Sequence, residues 1–95
     1  MFDRKTMKKR YGIALLPSTR DAMRAETQAK AQHMQVRIIP TPGRIRANCG
    51  FSLRYELVDE QRVLLLLEQL CITCDGMYEV EQEGLQTAYT PRRKE

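Results

Sequence analysis

The apolar positions of the chain fall into short blocks with two different periods. Tyr11–Leu16 (YGIALL) is short and apolar and ends at Pro17, which predicts a buried strand. Ser18 and Thr19 then offer an N-cap, and Asp21 stands three residues after Ser18, at capping-box spacing. The helix this opens runs to about His33, with Ala22, Ala25 and Ala29 on one stripe and Met23 beside it. Small residues on that stripe let a helix sit close on a sheet. Val36–Pro40 (VRIIP) reads as a second strand, stopped by Pro40 and Pro42. Thr41–Gly50 (TPGRIRANCG) has no period and reads as a long loop, of the kind that more often carries function.

Phe51–Leu57 alternates apolar Phe51, Leu53, Tyr55 and Leu57 with Ser52, Arg54 and Glu56, the period of a half-buried strand whose apolar side faces the helices. Asp59 can cap a second helix over Glu60–Leu70, with Val63, Leu66, Leu67 and Leu70 as its core stripe and Cys71 continuing it. Gly76 restarts the chain for a last strand, Met77–Val80. Beyond Glu81 the sequence turns polar, although LQTAY has the composition of a short edge strand.

The resulting order, β-α-β-β-α-β, predicts an α+β fold: the ferredoxin-like sandwich, an antiparallel sheet with two helices on one face. The domain covers 11–83, between a basic tail at 1–10 and a polar, basic tail at 84–95. At 95 residues the chain makes one small domain with one core, which leaves no room for catalysis shared between domains. The longest uninterrupted apolar run, Val63–Leu67, has five residues where a membrane span needs about 20. The opening MFDRKTMKKR lacks an apolar stretch of secretory length behind it, and three cysteines cannot all pair internally. Together these point to a reducing, cytosolic setting.

The net charge of +4 is unevenly placed: residues 1–10 hold five Lys/Arg against Asp3, and 91–95 hold three against Glu95. Such ends either attract nucleic acid unspecifically or simply keep the protein in solution. Between Gln28 and Tyr55 there is no acid, while Lys30, Arg37, Arg44, Arg46 and Arg54 fall there; Glu56–Glu83 then holds eight acids against Arg62.

Cys49 lies in the positive half, in Arg44-Ile45-Arg46-Ala47-Asn48-Cys49-Gly50. Nearby guanidinium groups favour the thiolate, the reactive form, and Gly50 gives access to the sulfur. Residue types alone leave this reading and that of a small buried hydrophobe equally open. Cys71-Ile72-Thr73-Cys74 closes the second helix, at the negative end of its dipole, which opposes thiolate formation. A redox pair, resolution of an oxidised Cys49 and an incidental role all fit these two cysteines. A zinc set of His33, Cys49, Cys71 and Cys74 is conceivable, but no second CxxC supports it, so no metal or other cofactor is expected. Phe51 and Tyr55 occupy the strand where RNA-recognition domains carry stacking aromatics, but their alternation assigns them to the core, so nucleic acid is not the expected partner.

The string VRIIPTPGRI, then Cys49-Gly50 and Leu53-Arg54, resembles the Se/S carrier protein-like family of small bacterial domains. The matching positions are Pro40, Pro42, Arg44, Cys49, Gly50, Leu53 and Arg54, and the closing Gly76-Met77-Tyr78-Glu79-Val80 also fits, so the likeness spans roughly residues 10–80. The chain departs from the pattern at the extra Gly43, at the basic Arg46-Ala47-Asn48 and in having a CxxC. The resemblance implies a protein that holds sulfur or selenium on a cysteine. The expectation is a carrier or thiol-transfer adaptor rather than a turnover enzyme. Cys49 would accept the atom from a protein donor for a protein acceptor, and Arg44, Arg46 and Arg54 would hold the anion. The alternatives are an interaction module without thiol chemistry and a weak nucleic-acid binder acting through the tails.

Overall fold

A computed structural model describes residues 9–46 and 50–94. The elements are β1 (Lys9–Leu16), α1 (Thr19–Ala31), β2 (Val36–Pro40), β3 (Phe51–Tyr55), α2 (Glu60–Gln69), β4 (Gly76–Glu83) and β5 (Gln86–Lys94). A single turn of 3-10 helix at Leu57–Asp59 leads into α2. The fold is α+β, with one antiparallel sheet in the order β2-β3-β1-β4-β5 and two helices. Among the described residues no helix is long and apolar enough to cross a membrane.

Both helices lie on one face, because Ala22, Ala25 and Ala29 of α1 and Val63, Leu66 and Leu67 of α2 share a buried cluster with Ala14, Leu16, Leu53, Tyr55 and Met77 of the sheet. The alternation read along β3 holds from Phe51 to Tyr55, where Leu53 and Tyr55 are buried under the helices and Phe51 packs beside them. Leu57, read as the strand's last apolar position, opens the 3-10 turn instead. Tyr55 lies across Gly12, its register partner on β1, so closely that a Cβ at Gly12 would collide with the ring. Glycine is required there by space.

The helix ends show how local chemistry sets the boundaries. Ser18 caps α1 by accepting from the Asp21 amide at 3.2 Å. Asp21 turns its carboxylate to Arg24 at 3.0 Å. Asp59 stands at the N-cap position of α2 without a capping bond; its carboxylate accepts from Arg62 at 3.3 Å. Both helices close in Schellman motifs. His33 donates to the Lys30 carbonyl and Met34 to that of Ala29; Cys71 donates to that of Glu68 and Ile72 to that of Leu67. His33 (φ 66°) and Cys71 (φ 57°) therefore occupy the left-handed position that glycine usually fills. Cys71 does not extend the apolar stripe as expected. It is exposed, and Ile72 turns into the core instead.

The ferredoxin-like sandwich expected from sequence has four strands, whereas this sheet has five. The segment from 84, read as a polar tail, supplies the fifth. Gly84 (φ 62°) makes the tight two-residue connection between Glu83 and Gln86, and β5 pairs with β4 along its length except for a bulge at Met77/Tyr78. Edge strands tolerate the polar residues and Pro91 that hid β5, because one side of the ladder has no partner strand and needs no N–H from proline. At the other edge, Glu26 of α1 accepts from the Ile38 amide at 3.3 Å and so occupies part of the open ladder of β2.

Candidate functional site

The loop after β2 is shaped by its prolines and by four bonds. Thr41 N–H donates to the Gly50 carbonyl at 3.2 Å and draws the two ends together. The Thr41 and Ser52 hydroxyls meet at 2.8 Å, and the amides of Ile45 and Arg46 both turn back to the Pro42 carbonyl, at 3.0 and 3.2 Å. This curl lays Ile45 against Ile13, Leu15 and Val80 on the face of the sheet that has no helix. Gly43 has open space around it, so the extra residue is accommodated on the outside of the turn.

The structure separates the three arginines that the sequence groups around Cys49. Arg44 crosses to β5, with its Nη1 donating to the Thr87 carbonyl at 3.3 Å and its guanidinium 5.6 Å from the Tyr89 ring centre. Arg46 forms an ion pair with Asp75 at 2.8 Å, and the Asp75 amide in turn donates to the Leu15 carbonyl at 2.8 Å. Arg54 lies on the strands, its guanidinium 3.9 Å from the ring centre of Tyr11. Gly50 is exposed, and a Cβ there would make an ordinary 3.5 Å contact with the Pro17 carbonyl. Packing does not demand glycine at that position. Cys49 itself, with Ala47 and Asn48, lies outside the described residues.

Asp75 is the site neighbour that sequence reasoning missed. Its ion pair fastens the loop to the segment that carries Cys74, where the Cys74 thiol donates to the Gly76 carbonyl at 3.4 Å. Cys71 and Cys74 are not joined by a disulfide. No group of three or more metal-donor side chains converges among the described residues, a set that does not include Cys49.

A second cluster, also missed, lies on the helix side. The Tyr55 hydroxyl donates to Glu60 Oε2 at 2.9 Å, and Arg92 of β5 grips the same carboxylate through Nε and Nη2, the latter at 2.8 Å. Arg92 Nη1 reaches Glu79 at 3.2 Å, and Arg10 closes the chain on the other Glu79 oxygen. Burial, aided by the Glu60 carboxylate, pushes the Tyr55 hydroxyl far above the ordinary tyrosine range. The Arg92 hydrogen bonds hold Glu60 below the usual carboxylate range despite its partial burial. Every member is paired, and the network ties β5 and α2 together. The signal was present in the acids of β4 and the arginines near the C-terminus, but only β5 brings them together.

The fold and loop define a small α+β domain whose cysteine-bearing connection lies at one end of its sheet. The chain matches the family described as Putative Se/S carrier protein-like over residues 11–79, and it belongs to that family. It is also similar to an uncharacterized protein of Methanocaldococcus jannaschii, 37% identical over 49 residues, which are 52% of this chain and 24% of that protein. The chain thus spans about a quarter of that relative's length. No solved structure matches it.

Proposed function

We propose that the chain carries sulfur, or selenium in its place, on Cys49. The observation that supports this most directly is the family match, whose residues 11–79 include Cys49 and its whole loop. In this reading the Cys49 thiolate attacks the outer sulfur of a persulfide on a donor protein. A new S–S bond forms on Cys49, and the donor's inner sulfur leaves as a thiolate. An acceptor then takes the outer atom, and Cys49 is released as a thiolate. The order of the first four strands, 2-3-1-4, with a helix in each crossover, supports reading the scaffold as ferredoxin-like with one strand added.

The arginine contacts refine the roles proposed for the flanking residues. Arg46 lies three residues from Cys49, but Asp75 already offsets part of its charge. Arg44 and Arg54 are engaged with tyrosine rings. Each guanidinium therefore already has a partner of its own, and in this reading Gly50 serves access. The Arg46–Asp75 pair ties the Cys49 loop to the CxxC segment, which supports Cys74 as the thiol that would resolve an oxidised Cys49, with Cys71 beside it.

Intact-mass spectrometry of the protein purified without reductant tests the carrier reading. A species about 32 Da heavier for sulfur, or about 80 Da heavier for selenium, should map to Cys49 and vanish with dithiothreitol. Its absence after incubation with a persulfide donor overturns the reading. The arginine contacts also favour a second reading, an interaction module in which Cys49 has no chemistry. In that case Cys49→Ser keeps all partner binding.

A further inference from the structure

The helix-free face of the sheet holds chemistry that the carrier reading does not use. Successive side chains of a strand point to opposite faces, and Val80 of β4 belongs to the helix-free cluster, with Tyr78 packed against it. Glu79, Glu81 and Glu83 therefore point to the helix side. The registers complete the pattern. Tyr11 stands opposite Val80, and Val80 opposite Tyr89; Ile13 stands between Arg54 and Tyr78; Arg54 stands opposite Arg37. Lys9 and Arg37 also point this way, and both are exposed. The paired strand positions on this face carry no acid among the described residues, although β4 alone has three on its other side.

Three half-buried tyrosines thus share a surface with Lys9, Arg37 and Arg54, and the loop adds Arg44 over Tyr89. Tyr11 and Tyr89 stand two strands apart, about 9–10 Å, each beneath a guanidinium, so the two ring–arginine pairs form separate stacking positions. Ile45 packs against the same Ile13–Leu15–Val80 cluster as the tyrosines. From this sorting of charge and aromatic rings, we infer that the helix-free face is a binding platform for single-stranded nucleic acid. Bases stack on Tyr78 and on the guanidinium planes of Arg54 and Arg44, which lie over Tyr11 and Tyr89, and the backbone phosphates meet Lys9 and Arg37. A duplex offers the same phosphates but hides its base faces, so it leaves the rings unused. The aromatics responsible are not Phe51 and Tyr55, which lie under the helices. The inference stands whether or not Cys49 carries sulfur.

The test is fluorescence anisotropy of the full chain with a labelled oligouridine of about twelve nucleotides. Binding should appear at low salt and weaken steeply as salt rises. Arg37→Glu, at an exposed position, should weaken it about tenfold and flatten the salt dependence. Tyr78→Leu, which keeps an apolar side chain over the cluster, should weaken it about fivefold. Arg20→Glu makes the same charge change on the exposed side of α1 and should leave affinity within about twofold. A duplex of equal length should bind less well. The inference is overturned by no binding at low salt, by equal losses in Arg20→Glu and Arg37→Glu, or by tighter binding of the duplex.

Discussion

The two faces of the sheet bury hydrocarbon by different means. On the helix side, Ala14, Leu16, Leu53 and Met77 lie beneath α1 and α2, and the polar groups at the margin are tied into the Tyr55–Glu60–Arg92–Glu79–Arg10 chain. On the other side, Ile13, Leu15 and Val80 are just as inaccessible although no helix covers them; tyrosines, Ile39 and Ile45 of the loop enclose them. A face sealed by whole elements is committed to stability. A face sealed by side chains one layer deep is still surface, so the residues that close it are also available to a partner. The tyrosines of the helix-free face therefore do two jobs, whereas Tyr55 does one.

Truncation should expose the difference most strongly in the deep layer. Leu53→Ala removes a fully buried side chain between the sheet and both helices and should cost about 3–4 kcal/mol in urea unfolding. Gly12→Ala should come next, at about 2–3 kcal/mol, because the new methyl meets the Tyr55 ring and the ring is held at its hydroxyl. Ile45→Ala uncovers the shallow cluster and should cost only about 1 kcal/mol, since its side chain is half exposed and the loop can settle. If Ile45→Ala costs as much as Leu53→Ala, the loop is a structural lid and the distinction between the faces fails.

Cys71→Gly should act in the opposite direction. Relief of a left-handed cysteine outweighs the added chain entropy, giving about 0.5–1 kcal/mol of stability. A persulfide yield on Cys49 that is unchanged in this variant would assign any resolving role to Cys74.

The sequence made the helix side legible because there the apolar period and the fold agree: the alanine stripe, the Val63–Leu67 stripe and the alternation of Phe51, Leu53 and Tyr55 all face one cluster. It hid the other side for three physical reasons. β5 is a polar edge strand whose pairing satisfies its backbone without an apolar pattern. The period of β4 sorts tyrosine from glutamates, but the partners that each side meets depend on a register with β1 that no local signal states. Arg44, Arg46 and Arg54 are close in sequence, but the curl of the loop and the direction of β3 send their side chains to Tyr89, Asp75 and Tyr11. The family pattern was visible from the Pro-Arg-Cys-Gly-Leu-Arg order, because it depends on sequence order rather than on contacts.

The smallest expected effect concerns pH and sets the helix-side network against the tyrosines of the other face. Glu60 is held below its unfolded range by Arg92, so it adds stability that is present above about pH 4.3, the unfolded glutamate value, and is lost as pH falls through the lower folded value. Tyr55 is raised, first by burial and then by Glu60, so its neutral form is favoured in the fold. Its contribution is intact below about pH 10 and declines as pH climbs beyond that, since only the unfolded chain then releases the proton readily. Arg92→Gln should weaken the Glu60 effect alone: stability near neutral pH falls and the acid limb flattens, because the main cause of the depressed Glu60 value is gone. The alkaline decline stays, because Arg92 opposes the Tyr55 shift. Tyr55→Phe should remove the alkaline decline and return Glu60 part of the way toward its ordinary value. Tyr78→Phe, on the helix-free face and outside the Glu60 network, should leave the acid limb of the pH–stability curve unchanged. Chemical denaturation at a series of pH values measures all three. If Tyr78→Phe shifts the acid limb as Arg92→Gln does, the two faces are electrostatically one, and the independence argued for them is lost.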